Sequence, residues 1–225
     1  MNYRIFIFGT IWVAFIMQAC SDMNELSDRF LKEGEIIYAA MVDSASIGAG
    51  EKRVKIEMRI KSIRIQTVRI YWNDKTDSTD VNIDNKSGFF SRMIENLQER
   101  NYIFNLVSFD KYGNQSLSYE LSGRALGELY RGAMINRVIS KIETNAGKTV
   151  LTWGDFDVSS DARFNEIKYT STANEETIRE APISEGKTEI SDMKNGSIVE
   201  YRTAYVPDDM EVDIFYTDWV TYVVN

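Results

Sequence analysis

Cys20 is the only cysteine among 225 residues, and it stands directly after an apolar run at the N-terminus. A thiol placed there has a defined chemistry. In a bacterial lipoprotein precursor it forms a thioether to diacylglycerol, the leader is cut before it, and the new amino group is acylated. Two or more acyl chains hold a protein to a bilayer stably, whereas one is marginal. The preceding residues fit this reading: Arg4 gives a positive start, Ile5 to Met17 an apolar stretch, and Ala19 the small residue before the cut. Met17 stands where leucine is usual in such signals, and Gln18 is larger than the usual residue. The run is shorter than the roughly 20 apolar residues that span a membrane comfortably.

The remaining composition excludes more chemistry than it offers. There is no histidine, which removes imidazole acid–base catalysis, Ser-His-Asp and Cys-His nucleophiles, and the usual zinc sites. No glycine-rich phosphate loop or dinucleotide fingerprint is present. Two-carboxylate glycoside hydrolysis is compatible with the composition, but 34 acidic residues make the presence of carboxylates uninformative. The chain past Ala19 holds 25 Lys+Arg against 34 Asp+Glu, a net charge of −9, so nucleic acid is not expected as a partner. Asp74, Asp77, Asp80 and Asp84 crowd one segment with Asn73 and Asn82, but lack the spacing and terminal Glu of a calcium loop. They read as a solvated acidic loop guarding a sheet edge. No metal and no cofactor is expected. The residues suited to ligand contact are aromatic: Trp72, and the group Tyr205, Tyr216 and Trp219 around the loop Pro207-Asp208-Asp209-Met210. Aromatic faces stack on the C–H surfaces of sugars, and the same rings also build ordinary cross-strand pairs. Trp153 is expected in a core.

The elements that must carry these residues are strands. Val54, Ile56, Met58 and Ile60 alternate with Lys55, Glu57 and Arg59, the pattern of a half-buried antiparallel strand. Val68, Ile70 and Trp72 repeat it, followed by a polar hairpin region from Asn73 to Gly88 and a long apolar run from Tyr102 to Val107. Ile36 to Ala39 reads as a first strand leading into a loop with Gly48 and Gly50. The second half repeats the first: Ile56 and Met58 match Leu151 and Trp153 95 residues on, Leu97 and Tyr102 match Met193 and Ile198 96 on, and Ile70 matches Ile167 97 on. A period of this length is a domain and not a solenoid repeat. About seven short strands per half predict an all-β chain of two tandem immunoglobulin-like β-sandwiches. The expected boundaries are a signal peptide at 1–19, a lipidated tether at 20–33, one sandwich at 34–124, a linker at 125–134 and a second sandwich at 135–225. Tyr130 in the linker is expected to pin the two halves together.

The layout resembles fibronectin type III modules. Leu151-Thr152-Trp153 looks like their second strand, and Leu97 followed by Tyr102 resembles their tyrosine corner, which Ile198 cannot form in the second half. A wider resemblance rests on Gly34-Glu35-Ile36-Ile37-Tyr38, Arg69-Ile70-Tyr71-Trp72-Asn73, Ser122-Gly123-Arg124, Tyr201-Arg202-Thr203, Tyr205-Val206-Pro207 and Phe215-Tyr216-Thr217-Asp218-Trp219. These stretches resemble a Bacteroidota family of two-domain lipoproteins of unknown function, of the kind associated with SusC/SusD-like glycan-uptake systems. The resemblance implies an outer-membrane lipoprotein on the cell surface or periplasmic face, with no catalytic residues to carry over. The expected role is non-catalytic. Its membrane contact is the lipid on Cys20, and its expected ligand is a glycan or glycoconjugate contacted by Trp72, Tyr205, Tyr216 and Trp219. The alternative is a structural subunit whose partner is an outer-membrane protein. The anchor is tested by labelled palmitate: wild type should incorporate it and Cys20→Ala should not, and an unlabelled wild type would reduce the leader to plain secretion.

Overall fold

The alternating patterns become strands, as the computed structural model shows for the residues it describes, 37–157, 160–208 and 210–223. The leader, Cys20 and the tether lie outside them. The first half holds β1 (Ser44–Gly50), β2 (Arg53–Ile60), β3 (Ile65–Trp72), β4 (Asp77–Asn82), β5 (Gly88–Ile94), β6 (Arg100–Asp110) and β7 (Tyr119–Ala125). A single helical turn, α1 (Glu128–Ala133), follows. The second half holds β8 (Ile139–Asn145), β9 (Lys148–Trp153), β10 (Ala162–Thr170), β11 (Glu176–Pro182), β12 (Lys187–Ile190), β13 (Ile198–Tyr205), β14 (Phe215–Tyr216) and β15 (Val220–Val223).

Each half is a sandwich of two antiparallel sheets. The first pairs β1-β2-β5 against β4-β3-β6-β7, and the second pairs β8-β9-β12 against β11-β10-β13, whose far side carries β14 and β15. In both halves the fourth strand joins the sheet of the third and sixth, so the chain folds as two tandem fibronectin type III-like sandwiches. The repeat is real at this level, because Ile56 and Leu151 lie on β2 and β9, and Ile70 and Ile167 on β3 and β10.

Inward positions of the first sandwich are fully buried: Val54, Ile56, Met58 and Ile60 from one sheet meet Val68, Ile70, Phe104 and Leu106 from the other. Each such side chain stabilises the fold by roughly 1.5–3 kcal/mol. The Tyr102 hydroxyl donates to the Gln98 carbonyl at 3.1 Å, so the tyrosine corner forms. In the second core Trp153 is buried as expected, edge-on to Tyr201, with its indole N–H donating to Thr188 Oγ1 at 2.9 Å. The buried Arg137 guanidinium donates to the carbonyls of Gly154, Ile183 and Glu185. Burial pulls its pKa below the usual arginine value, and three carbonyl acceptors satisfy its donors there.

Two local expectations change. The glycines at 48 and 50 do not sit in a loop after a first strand; they lie in β1 itself, while Ile37 to Ala39 form no strand. The reason is close approach. A Cβ on Gly48 would stand 2.6 Å from Val212 Cγ2, and one on Gly50 would stand 2.5 Å from Asp213 Oδ2. The β13–β14 connection therefore lies flat on β1, and only glycine leaves room. The polar region after Trp72 contains β4, an edge strand too acidic to read as one from its pattern. Its Asp80 pairs with Arg69 at 2.6 Å, a charged edge of the kind that discourages strand addition.

The same flat loop joins the two sandwiches. Asp213 accepts from the Glu51 N–H at 2.8 Å and from Arg53 Nε at 3.0 Å, and it also pairs with Arg53 Nη2. Asp208 accepts from the Ala49 N–H at 2.5 Å. Beside these bonds Ala49, Leu126, Ala162, Ile183, Tyr205 and Phe215 form a buried apolar cluster, flanked by Tyr130. Tyr130 does pin the halves: it meets the Phe215 ring edge-on at 5.0 Å and donates to Asp161 at 3.0 Å. Arg131 pairs with Glu51 at 2.7 Å, and the Glu99 carboxylate accepts from the Leu129 and Tyr130 N–H groups at the start of α1.

Asp213 and Glu51 make the joint acid-sensitive. Burial alone would raise the Asp213 pKa, but the Arg53 and Glu51 donors and the Arg53 and Arg131 charges outweigh it and leave it lowered. The Arg131 hydrogen bond lowers Glu51. Groups depressed in the folded state contribute fully above their unfolded values, about pH 4, and lose that contribution as pH falls through the folded ones. Amide exchange at Glu51, whose N–H is held by Asp213, should therefore hardly change from pH 7 to about 5 beyond its intrinsic rate, and protection should be lost below about 4. The core amides of β6 should stay protected. Asp213→Asn should lose the same protection at neutral pH; equal protection in wild type and variant would contradict this account.

Candidate functional site

The sequence-derived ligand residues separate into three places. Tyr205 is buried in the interdomain cluster, and its hydroxyl donates to the Ile135 carbonyl at 2.8 Å. Strand alternation explains this, since β13 turns Tyr201, Thr203 and Tyr205 to one face, away from solvent. Tyr205 therefore offers no face to a ligand.

Tyr216 and Trp219 come together on the outer face of the second sandwich. β13 pairs Ala204 with Tyr216, yet Tyr201 with Val220. One extra residue thus enters the last strand between β14 and β15. The shift sets Trp219 level with Arg202; without it Trp219 would oppose Tyr201, whose side chain is in the core. A one-residue slip exchanges the faces of a strand, and bulges are a usual means of re-aiming a side chain. The Arg202 guanidinium carbon lies 3.7 Å from the Tyr216 ring centroid and 4.5 Å from that of Trp219, and the Lys168 ammonium lies 4.7 Å from Trp219. Phe164 meets Tyr216 edge-on at 6.5 Å. Glu166 accepts from Arg202, and Glu200 from Lys168, each at 2.6 Å. Burial first, then the Glu166 charge, raises the Tyr216 pKa. This is an alternating aromatic–cation stack whose rings already hold the chain's own cations.

Trp72 lies in the other sandwich, at the end of β3. One side of it packs on the core, with the Phe104 ring centroid 6.3 Å away. The rest lines an open groove of about 320 Å³ between the β3–β4 turn and the segment before β6. Asn73, Asp77, Glu95, Asn96, Gln98 and Arg100 provide its polar groups. The turn is tightly formed, with Asn73, Asp74 and Lys75 all left-handed and the Thr76 N–H donating to the Asn73 carbonyl. Arg100 donates to Asn73 Oδ1 at 2.7 Å and stacks over Tyr102. Asn73 in turn donates to Asp77 at 2.6 Å. The side-chain amides of Asn96 and Gln98 have no protein partner among the described residues.

The acidic segment does not gather as a cation site. Asp80 is spent on Arg69 and Asp77 on Asn73, and among the described residues no cluster of three acidic, His or Cys side chains could hold a metal. Sequence reasoning missed Asn96, Gln98 and Arg100, which become neighbours of Trp72 only through strand pairing. It also gave Arg202 no role, although Tyr201-Arg202-Thr203 was among the stretches that carry the resemblance.

Fold and surface together define a two-module β-sandwich protein of the fibronectin type III-like kind. The chain belongs to the DUF4998 family, a domain of unknown function, whose model matches residues 20–215. No curated protein matches the chain. Among solved structures it is similar to the FN1–FN3 domains of chicken CNTN1, with a TM-score of 0.48 and 7% identity; the match covers 83% of this chain and 64% of that one. It is also similar to a two-domain fibronectin type III segment of chicken tenascin, with a TM-score of 0.31 and 10% identity over 81% of this chain and 98% of that one.

The stack on the outer face should be measurable as stability. Arg202→Met removes the cation between the rings and leaves the nearly buried Glu166 without its arginine; denaturant titration should show a loss of about 2 kcal/mol. Trp219→Ala removes the second ring from Arg202 and Lys168 and should cost about 1 kcal/mol. A neutral outcome for both would mean that the stack does not hold the strand end.

Proposed function

We propose that this protein is a non-catalytic, membrane-tethered binding module that takes a glycan in the Trp72 groove, held by the lipid on Cys20 at the outer membrane beside an uptake complex. The observation that carries this reading is the composition of the groove: a half-exposed indole bordered by two uncommitted amides and a fixed polar network. A sugar ring needs an apolar surface for its C–H face and paired donors and acceptors for adjacent hydroxyls, which Asn and Gln side chains supply. The network from Arg100 through Asn73 to Asp77 is itself ordered before a ligand arrives, which lowers the ordering cost of binding at that wall. Tethering adds local concentration near any partner in the same membrane.

The non-catalytic part rests on composition, since the chain has no histidine for acid–base or nucleophilic work. At the adjoining joint, where glycoside hydrolysis would need one carboxyl with a raised pKa, Glu51 and Asp213 are both lowered by arginine partners.

A second reading, a protein-interaction subunit, is favoured by the bulge that brings Trp219 to the outer face. Trp, Tyr and Arg are the residues enriched at interface hot spots. In that case Trp219→Ala should abolish association with an outer-membrane protein partner and leave glycan binding intact.

The test of the first reading is a glycan array probed with the fragment from Asp22 onward. Binding should appear and should fall at least tenfold, about 1.4 kcal/mol, in Trp72→Ala, with Trp219→Ala unaffected. Silence across the array, or binding indifferent to Trp72, would overturn it.

A further inference from the structure

The Trp72 groove does not end at Gln98. Glu95 and Asn96 also line a second groove, of about 360 Å³, whose other walls are Glu51, Lys52, Arg53 and Asp213. The two spaces therefore share a wall, one opening at the indole and the other at the joint between the sandwiches. A ligand that reached both would be an oligosaccharide and not a single sugar.

The joint end has an electrostatic character of its own. Its acids are largely committed: Asp213 to Arg53, and Glu51 to Arg131. Glu95 lies 3.9 Å from Arg53, a long and exposed contact. Lys52 is the exception among the cations. It is exposed and makes no ion pair within 4 Å among the described residues, its charge acting only at longer range on the neighbouring Glu51. Its backbone is left-handed, with φ of 52°, which is uncommon for lysine. Two hydrogen bonds hold it there: the Lys52 N–H donates to the Leu126 carbonyl at 2.8 Å, and its own carbonyl accepts from Leu97 at 2.8 Å. The ammonium thus springs from a fixed point on the wall of the joint groove. At the indole end Arg100 likewise has no carboxylate partner, its donors being turned towards Asn73.

From this we infer that the trough takes an acidic oligosaccharide, with a sugar ring stacked on Trp72, hydroxyls read by Asn96 and Gln98, and a carboxylate or sulfate group further along the chain paired with Lys52. This rests on the reading of Trp72 as a glycan site and adds the ligand's length and charge. Glu95 opposes the anion from the shared wall, so its removal should favour binding.

The experiment compares array-printed uronate-containing and sulfated oligosaccharides with neutral ones of equal length, using the intact soluble fragment. Lys52→Gln should weaken acidic oligosaccharides about tenfold and leave neutral ones unchanged. Glu95→Gln should tighten the acidic ones several-fold. Raising salt from 50 to 500 mM should mimic Lys52→Gln. Trp72-dependent binding of neutral glycans alone, or acidic binding indifferent to Lys52 and salt, overturns the inference and leaves the Trp72 reading standing. No Trp72-dependent binding of any printed glycan removes both. Circular dichroism melting of each variant separates loss of the site from loss of the fold.

Discussion

Asp213 is the residue on which the arrangement of this molecule depends most. It is an acid taken partly out of water, and that would be costly without partners. Arg53 and the Glu51 N–H supply them from the other sandwich. The bond forms only because the loop carrying Asp213 can lie against β1, and it can do so only because positions 48 and 50 lack side chains. One close approach thus explains two glycines, a lowered carboxylate and the position of one sandwich against the other. The joint groove exists because of the same contact, since Arg53 and Asp213 are among its walls.

The joint combines terms that complement each other. The apolar cluster around Phe215 and Tyr205 gives non-directional attraction, and interdomain surfaces of modest size leave domain motion as the default. Directional bonds from Asp208, Asp213 and Asp161 restrict that freedom. A site that draws on both sandwiches needs such fixing, because a ligand spanning a loose joint would spend binding energy on ordering it. The aromatic–cation stack at the far strand is a different device. Its cations are already neutralised by Glu166 and Glu200, so it consolidates a strand end that a bulge would otherwise weaken.

The periodic parts of the fold were legible in the sequence. The alternation from Val54 to Ile60 gave β2, the match of Ile70 to Ile167 gave the repeat, and Trp153 and Tyr130 took the places expected of them. β1 and β4 were not legible in the same way. β1 is rich in small residues that serve a neighbour across the joint, and β4 is an edge strand with one buried side chain, so neither carries a strong periodic signal. Of the ligand residues, Trp72 lines a groove, Tyr216 and Trp219 share a face, and Tyr205 is buried. Residue type alone does not separate these fates, because an aromatic ring suits a core, a stack and a sugar equally well.

Composition and local pattern by themselves determined what needs only neighbours in sequence: an all-β chain, a domain-length repeat and the absence of histidine chemistry. Tertiary structure decided everything that depends on distance across the chain. A single extra residue in the last strand chose the face of Trp219. Pairing across the joint set the ionisation of Asp213 and Glu51. Packing of the segment before β6 against the β3–β4 turn brought Asn96, Gln98 and Arg100 to Trp72. Strand periodicity is written locally, whereas register, burial and charge pairing are fixed only when distant segments meet.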